Sequence, residues 1–132
     1  MARKPESLLY DRLRDNLKDC YITRVESSAS LGFPDCLIGI DRKFVTVELK
    51  VAKSRKVLLS PHQVSWHMKH AAGGLPCWIF VQVTAPRFAL EFRLYAGGQA
   101  SELLFYGLAL DPVDAWTVKS ANWEHIRRRL IQ

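Results

Sequence analysis

Features that would place the chain in a membrane or tie it together covalently are scarce. Its longest apolar runs, such as Leu75 to Val83, are far too short to cross a bilayer, and Met1-Ala2-Arg3-Lys4-Pro5-Glu6 lacks the apolar core of a secretion signal. A cytoplasmic protein without membrane contact is expected, in a bacterial, archaeal or phage-infected cell. Cysteine is limited to Cys20, Cys36 and Cys77, odd in number and widely spaced. That argues against a disulfide framework and a paired-cysteine zinc site, and leaves reduced packing thiols as the plain reading. His67 and His70 share a helix face, but no Cys or His set has convincing zinc spacing. Repeats, low-complexity tracts and linkers are also lacking, so residues 1–132 are read as one domain.

Acidic residues are the scarcer charge. Nineteen Lys and Arg against thirteen Asp and Glu leave a net +6, a bias toward polyanions such as nucleic acid. The bias gains meaning only if cations surround a site able to act on phosphates.

Leu8, Leu9, Leu13 and Leu17 recur at helical spacing, which predicts an amphipathic helix over 5–18. Tyr21 to Val25 has strand composition and runs into a small, polar loop ending at Gly32. Asp35 to Ile40 and Phe44 to Val51 are read as a hairpin around Asp41-Arg42-Lys43. In its second strand Val45, Val47, Leu49 and Val51 point one way, and Thr46, Glu48 and Lys50 the other. A helix starts at Ser60-Pro61 and stops at Gly73-Gly74, with Val64, Met68 and Ala71 as its core stripe. Pro76 to Val83 suits a strand covered on both faces, and Phe88 to Tyr95 a strand with one wetter face. Trp123 to Ile131 reads as a closing helix capped near Ser120. One α/β domain follows, with a central mixed sheet flanked by helices.

Hydrolysis of a phosphodiester needs a hard cation held by carboxylates, to offset charge on the phosphate and to activate water. A hairpin turning between Asp41 and Arg42 sets Asp35 opposite Glu48, with Cβ atoms roughly 5 Å apart. Two acids that close repel, and a bound cation is the natural compensation. Lys50 shares the face of Glu48 and can reach a phosphate oxygen or the attacking water. A register shift of one residue would undo this arrangement.

At these positions the chain resembles the PD-(D/E)xK nuclease superfamily: Phe33-Pro34-Asp35 supplies the PD, and Val47-Glu48-Leu49-Lys50 the ExK. Gly32-Phe33-Pro34-Asp35, Glu48-Leu49-Lys50 and Leu59 to Trp66 together are similar to the virus-type replication-repair nucleases, with the archaeal Holliday junction resolvases close behind. The resemblance covers about Glu6 to Val83. It implies a restriction-endonuclease-like fold and a Mg²⁺-dependent endonuclease, with Mn²⁺ as a substitute, acting on DNA and in particular on branched or junction DNA. By the same resemblance Asp35, Glu48 and the backbone carbonyl of Leu49 are metal ligands and Lys50 is the catalytic lysine. Gln63 is the supporting glutamine, Glu6 a further ligand from the first helix, and Ser28 or Ser30 a serine preceding the PD segment.

Each residue also has a plainer role. Ser60-Pro61-His62-Gln63 is a capping box in which glutamine closes the helix N-terminus, a role compatible with the first. Glu6 suits an acid complementing a helix dipole. Lys53, Arg55 and Lys56 form either a solvated loop or a clamp on a nucleic-acid backbone. Arg127-Arg128-Arg129 either binds phosphate or keeps the last helix soluble. A catalytically inactive nucleic-acid-binding module is the rival function. A purely structural protein with Trp66, Trp78, Trp116 and Trp123 as interface anchors would leave the acid pair unexplained. One site per chain and symmetric incision of a branched substrate predict a homodimer, with Phe88 to Tyr95 or the C-terminal helix as interface.

Overall fold

The computed structural model describes residues 4–25 and 31–132. Six strands form one mixed sheet: β1 (Tyr21–Arg24), β2 (Cys36–Ile40), β3 (Lys43–Ala52), β4 (Cys77–Val83), β5 (Glu91–Ala96) and β6 (Asp114–Thr117). They lie side by side in chain order, and every neighbouring pair is antiparallel except β3 and β4. Parallel neighbours need a long crossover. Helix α2 (Pro61–Ala72) supplies it.

Alternation along the strands divides the core in two. On one face Val45, Val47 and Leu49 of β3, Cys36 and Ile38 of β2, and Phe80 of β4 bury against Leu9 and Leu13 of α1 (Pro5–Asn16) and Ile126 and Leu130 of α4 (Trp123–Leu130). On the other, Ile79, Val81 and Tyr95 pack with Ala100 and Leu103 of α3 (Ala100–Tyr106) and with Val64 of α2. Glu48 and Lys50 therefore belong to the face covered by α2 and α3. The result is a single α/β domain with helices on both sides of a mixed sheet, as the sequence pattern implies.

Several expectations need correction. The strand expected over Phe88 to Tyr95 starts only at Glu91, because Ala85 to Phe88 is a turn closed by Phe88 N–H donating to the Ala85 carbonyl. Its expected wet face is covered: Tyr95 is fully buried and donates its hydroxyl to the Leu110 carbonyl, while Arg93 donates to that of Leu108. Both edges of β5 are paired, so within this span exposure is confined to Ala89 and Leu90, with Phe88, Glu91 and Arg93 half-buried. The last helix is capped by Asn122, two residues past Ser120, whose side chain accepts from His125 N–H at 3.0 Å. Trp78 and Trp116 are buried and Trp123 packs on Phe80 and Phe92, so these three are core residues, not exposed anchors. Met68 is exposed, whereas His67, one residue earlier, turns inward.

Candidate active site

Asp41 and Arg42 both have positive φ, +47° and +68°, as a two-residue turn matching the right-handed twist of a hairpin requires. The turn sets the register, with Ile40 opposite Lys43 and Cys36 opposite Val47. The pairing ends at that rung; Asp35 lies in a bend just before β2, and its carboxylate is close enough to Glu48 to raise that acid's pKa. Cys36 and Val47 face the α1 side, so Glu48 points toward α2, while the Asp35 carboxylate reaches the edge of β3. Gly32 seats the segment before Asp35: its φ is +82°, and a Cβ there would run into the His62 carbonyl at the start of α2. Phe33 then meets the Trp66 ring edge-on at 5.4 Å.

Strand β3 outruns β2, so its edge beyond Val47 must find other partners for its polar groups. Carboxylates supply them. Leu49 N–H donates to Asp35 Oδ2 at 2.8 Å, and Val51 N–H to Glu6 Oε2 at 3.2 Å. In an antiparallel strand the N–H and C=O of one residue face the same neighbour, so the Leu49 carbonyl opens on this edge between the two acids. Asp35 and Glu6 thus cap N–H groups two residues apart on the same strand edge.

Glu48 is 1% exposed. Its Oε2 accepts from Gln63 Nε2 at 3.0 Å and lies 3.7 Å from Lys50 Nζ. Its Oε1 is buried without a hydrogen-bond partner. Burial, and after it the charge of Asp35, push the carboxyl up to about 9 against the pull of Lys50. Both sequence readings of Gln63 hold together. Oε1 accepts from Ser60 N–H at 2.9 Å while Ser60 Oγ accepts from Gln63 N–H at 3.1 Å, closing the capping box and leaving Nε2 for Glu48.

An orphaned buried carboxylate oxygen, a second acid and a strand-edge carbonyl are the donors a hard cation takes. Among the described residues no group of three or more His, Cys, Asp or Glu side chains is placed to hold a metal ion. Mg²⁺ commonly takes one or two protein carboxylates and completes its shell with water and substrate, so the donor set fits it.

His67 is the polar residue of this face whose place the sequence reading missed. It is 0% exposed, its Nδ1–H donates to the Gln63 carbonyl at 2.8 Å, and its Nε2 has no partner. Burial is the largest influence on it and lowers its pKa, which favours the neutral ring. Its spacing of four from Gln63, which puts both on one helix face, was the available signal.

Lys53, Arg55 and Lys56 are exposed on the loop leaving β3. The C-terminal arginines are engaged elsewhere: Arg127 pairs with Asp41 at 2.7 Å, Arg129 with Asp114 at 3.3 Å, and Arg128 reaches Glu124. Ser28 and Ser30 lie outside the described residues.

No family model matches the chain, and no curated protein matches it. Among solved structures it is similar to Hjc, a Holliday junction resolvase from the hyperthermophilic archaeon Archaeoglobus fulgidus, at 23% identity and a TM-score of 0.49, over 70% of this chain and 74% of that one. A likeness of that extent carries no functional argument, and the reading of the site rests on its own residues.

Proposed function

We propose that this chain is a Mg²⁺-dependent endonuclease that hydrolyses DNA phosphodiester bonds, with branched or junction DNA as its substrate class. The observation that supports it best is the burial of Glu48 beside Asp35 with one carboxylate oxygen unpartnered and the other held by Gln63 and Lys50. Leaving a charge so placed is costly unless something compensates it.

Asp35, Glu48 and the Leu49 carbonyl would hold the ion, while Glu6 caps the Val51 N–H further along the strand edge and does not form a group of three side chains with them. When bound, Mg²⁺ supplies charge neutralisation at the scissile phosphate and acidifies water. Gln63 fixes the Glu48 carboxylate from a capped helix end, so the acid is oriented before substrate arrives. Lys50, with 18% of its side chain exposed, sits where its ammonium can meet a phosphate oxygen or steady a water. Lys53, Arg55 and Lys56 would grip the backbone on either side. The homodimer proposal stands on the need for two sites to cut two strands, and self-association in light scattering tests it.

The decisive assay offers junction, flap and duplex DNA to the protein in Mg²⁺, Mn²⁺, Ca²⁺ or excess chelator. Cleavage in Mg²⁺ and Mn²⁺ and none in Ca²⁺ or chelator is expected. Robust cutting in chelator overturns the metal, and DNA binding without cutting in any metal leaves an inactive binding module.

A further inference from the structure

Helix α3 buries Ala100 and Leu103 in the core but leaves its other face bare. Leu104 is 43% exposed, Phe105 82% and Tyr106 52%. Large apolar groups set side by side on a surface mark a contact site more often than lone ones do. The Phe105 and Tyr106 rings meet edge-on at 4.9 Å. Together with Leu58 and the cations Arg55 and Lys56 they line an open groove of about 750 Å³, and none of the described residues lining it is acidic.

The groove is built rather than incidental. Leu108 N–H donates to the Arg55 carbonyl at 2.8 Å, and Gly107, with φ +59°, passes so close to that carbonyl that a Cβ would collide with it. Backbone contact thus locks the basic loop onto the end of α3. Lys56 and Leu58 also line a second depression together with Glu6, Val51 and Lys53, and there Glu6 accepts from Val51 N–H, two residues along β3 from the Leu49 N–H that donates to Asp35.

Cations flanking exposed aromatic rings suit one class of partner. A phosphate backbone is drawn to Arg55, Lys53 and Lys56, and unpaired bases can stack on Phe105 and Tyr106, because every base has an apolar face. Paired bases keep their faces in the duplex. We infer that this groove binds an unpaired, single-stranded segment of DNA leaving the scissile duplex, with its bases on Phe105 and Tyr106. The inference rests on the nuclease reading for its biological sense, and the groove would lead that site to choose flapped or tailed DNA over plain duplex.

Binding measured in excess chelator tests it without catalysis. The probes are a blunt duplex, the same duplex with an oligothymidine tail, and the same duplex with an abasic tail. The wild type should favour the thymidine tail over the abasic one. The double variant Phe105→Leu and Tyr106→Leu keeps apolar bulk but removes the rings, and should lose about tenfold or more of its affinity for the thymidine tail while blunt duplex binding is unchanged. Equal affinity of the wild type for both tails, or equal losses on tailed and blunt DNA, would overturn the inference. So would a fall in oligomeric state in the variant, which would assign the patch to self-association. Should metal-dependent cleavage fail while base-dependent tail binding holds, the nuclease reading falls and the groove stands.

Discussion

Gln63 Nε2 donates to Glu48 Oε2 at 3.0 Å across the gap between helix and sheet. The same glutamine closes the capping box of α2, so helix stability and acid orientation depend on one side chain. The two roles separate by mutation. Ser60→Ala should cost about 1 kcal/mol of stability through the lost cap and leave the Gln63–Glu48 bond and cleavage nearly intact. Gln63→Ala should cost a similar amount of stability and lower single-turnover cleavage by roughly 10–100-fold as well. Thermal melts beside single-turnover rates check both, and equal rates for the two variants would deny Gln63 any part in the site.

Asp35→Asn and Glu48→Gln preserve shape while removing charge from the proposed ion site. Cleavage should fall by on the order of a hundredfold or more, with DNA affinity in Ca²⁺ near wild type or higher as repulsion of phosphate is relieved. Lys50→Ala should also stop cleavage, with a modest loss of affinity from the missing cation. Circular dichroism confirms the folds. A folded Asp35→Asn protein that cuts at the wild-type rate removes the foundation of the nuclease reading.

Stability in chelator should fall as pH rises. Folded Glu48 keeps its proton up to about pH 9, chiefly through burial and next through Asp35, whereas an ordinary glutamate releases it near 4.5. Between those values the folded state binds more protons than the unfolded one, so each rise in pH favours unfolding. The melting temperature should therefore decline across roughly pH 5.5 to 8.5. Glu48→Gln should flatten the decline, and Mg²⁺ should raise the melting temperature more at the alkaline end, where it no longer competes with the proton. A wild-type profile as flat as that of the variant would contradict this account.

Neutralising Lys53, Arg55 and Lys56 together should weaken binding to all DNA sequences and flatten its dependence on salt, by about one unit of log–log slope for each phosphate that no longer meets a cation. Single-turnover cleavage at saturating protein should remain largely intact. Affinity measured over a salt series reads the first two effects, and an unchanged salt slope would place these cations away from the DNA backbone.

The hairpin and its acids were legible in the sequence because their determinants are local. Strict alternation from Val45 to Val51 fixes which side chains share a face, and a two-residue turn at Asp41-Arg42 leaves one register, which ends at Cys36 and Val47 and brings Asp35 near Glu48. The capping box of α2 lies within four residues and was equally readable. The inward seam of that helix was readable only in part, at Val64. Hydrophobicity chose Met68, but the seam faces Glu48, and the polar pair Gln63 and His67 fills it.

Tertiary structure alone decided the rest, since it depends on partners far apart in the chain. Glu6 meets Val51 because β3 outruns β2 and its bare edge N–H needs an acceptor. The depth of Glu48, and hence the height of its pKa, comes from α2 closing over the sheet, which no pattern along β3 records. Strand β6 and helix α3 are too short for their periodicity to show. The placing of Phe105 and Tyr106 beside Arg55 follows from one backbone hydrogen bond, Leu108 to Arg55, between segments that carry no common signal. Local pattern determined which residues could do chemistry; packing determined which of them are buried, oriented and within reach of one another.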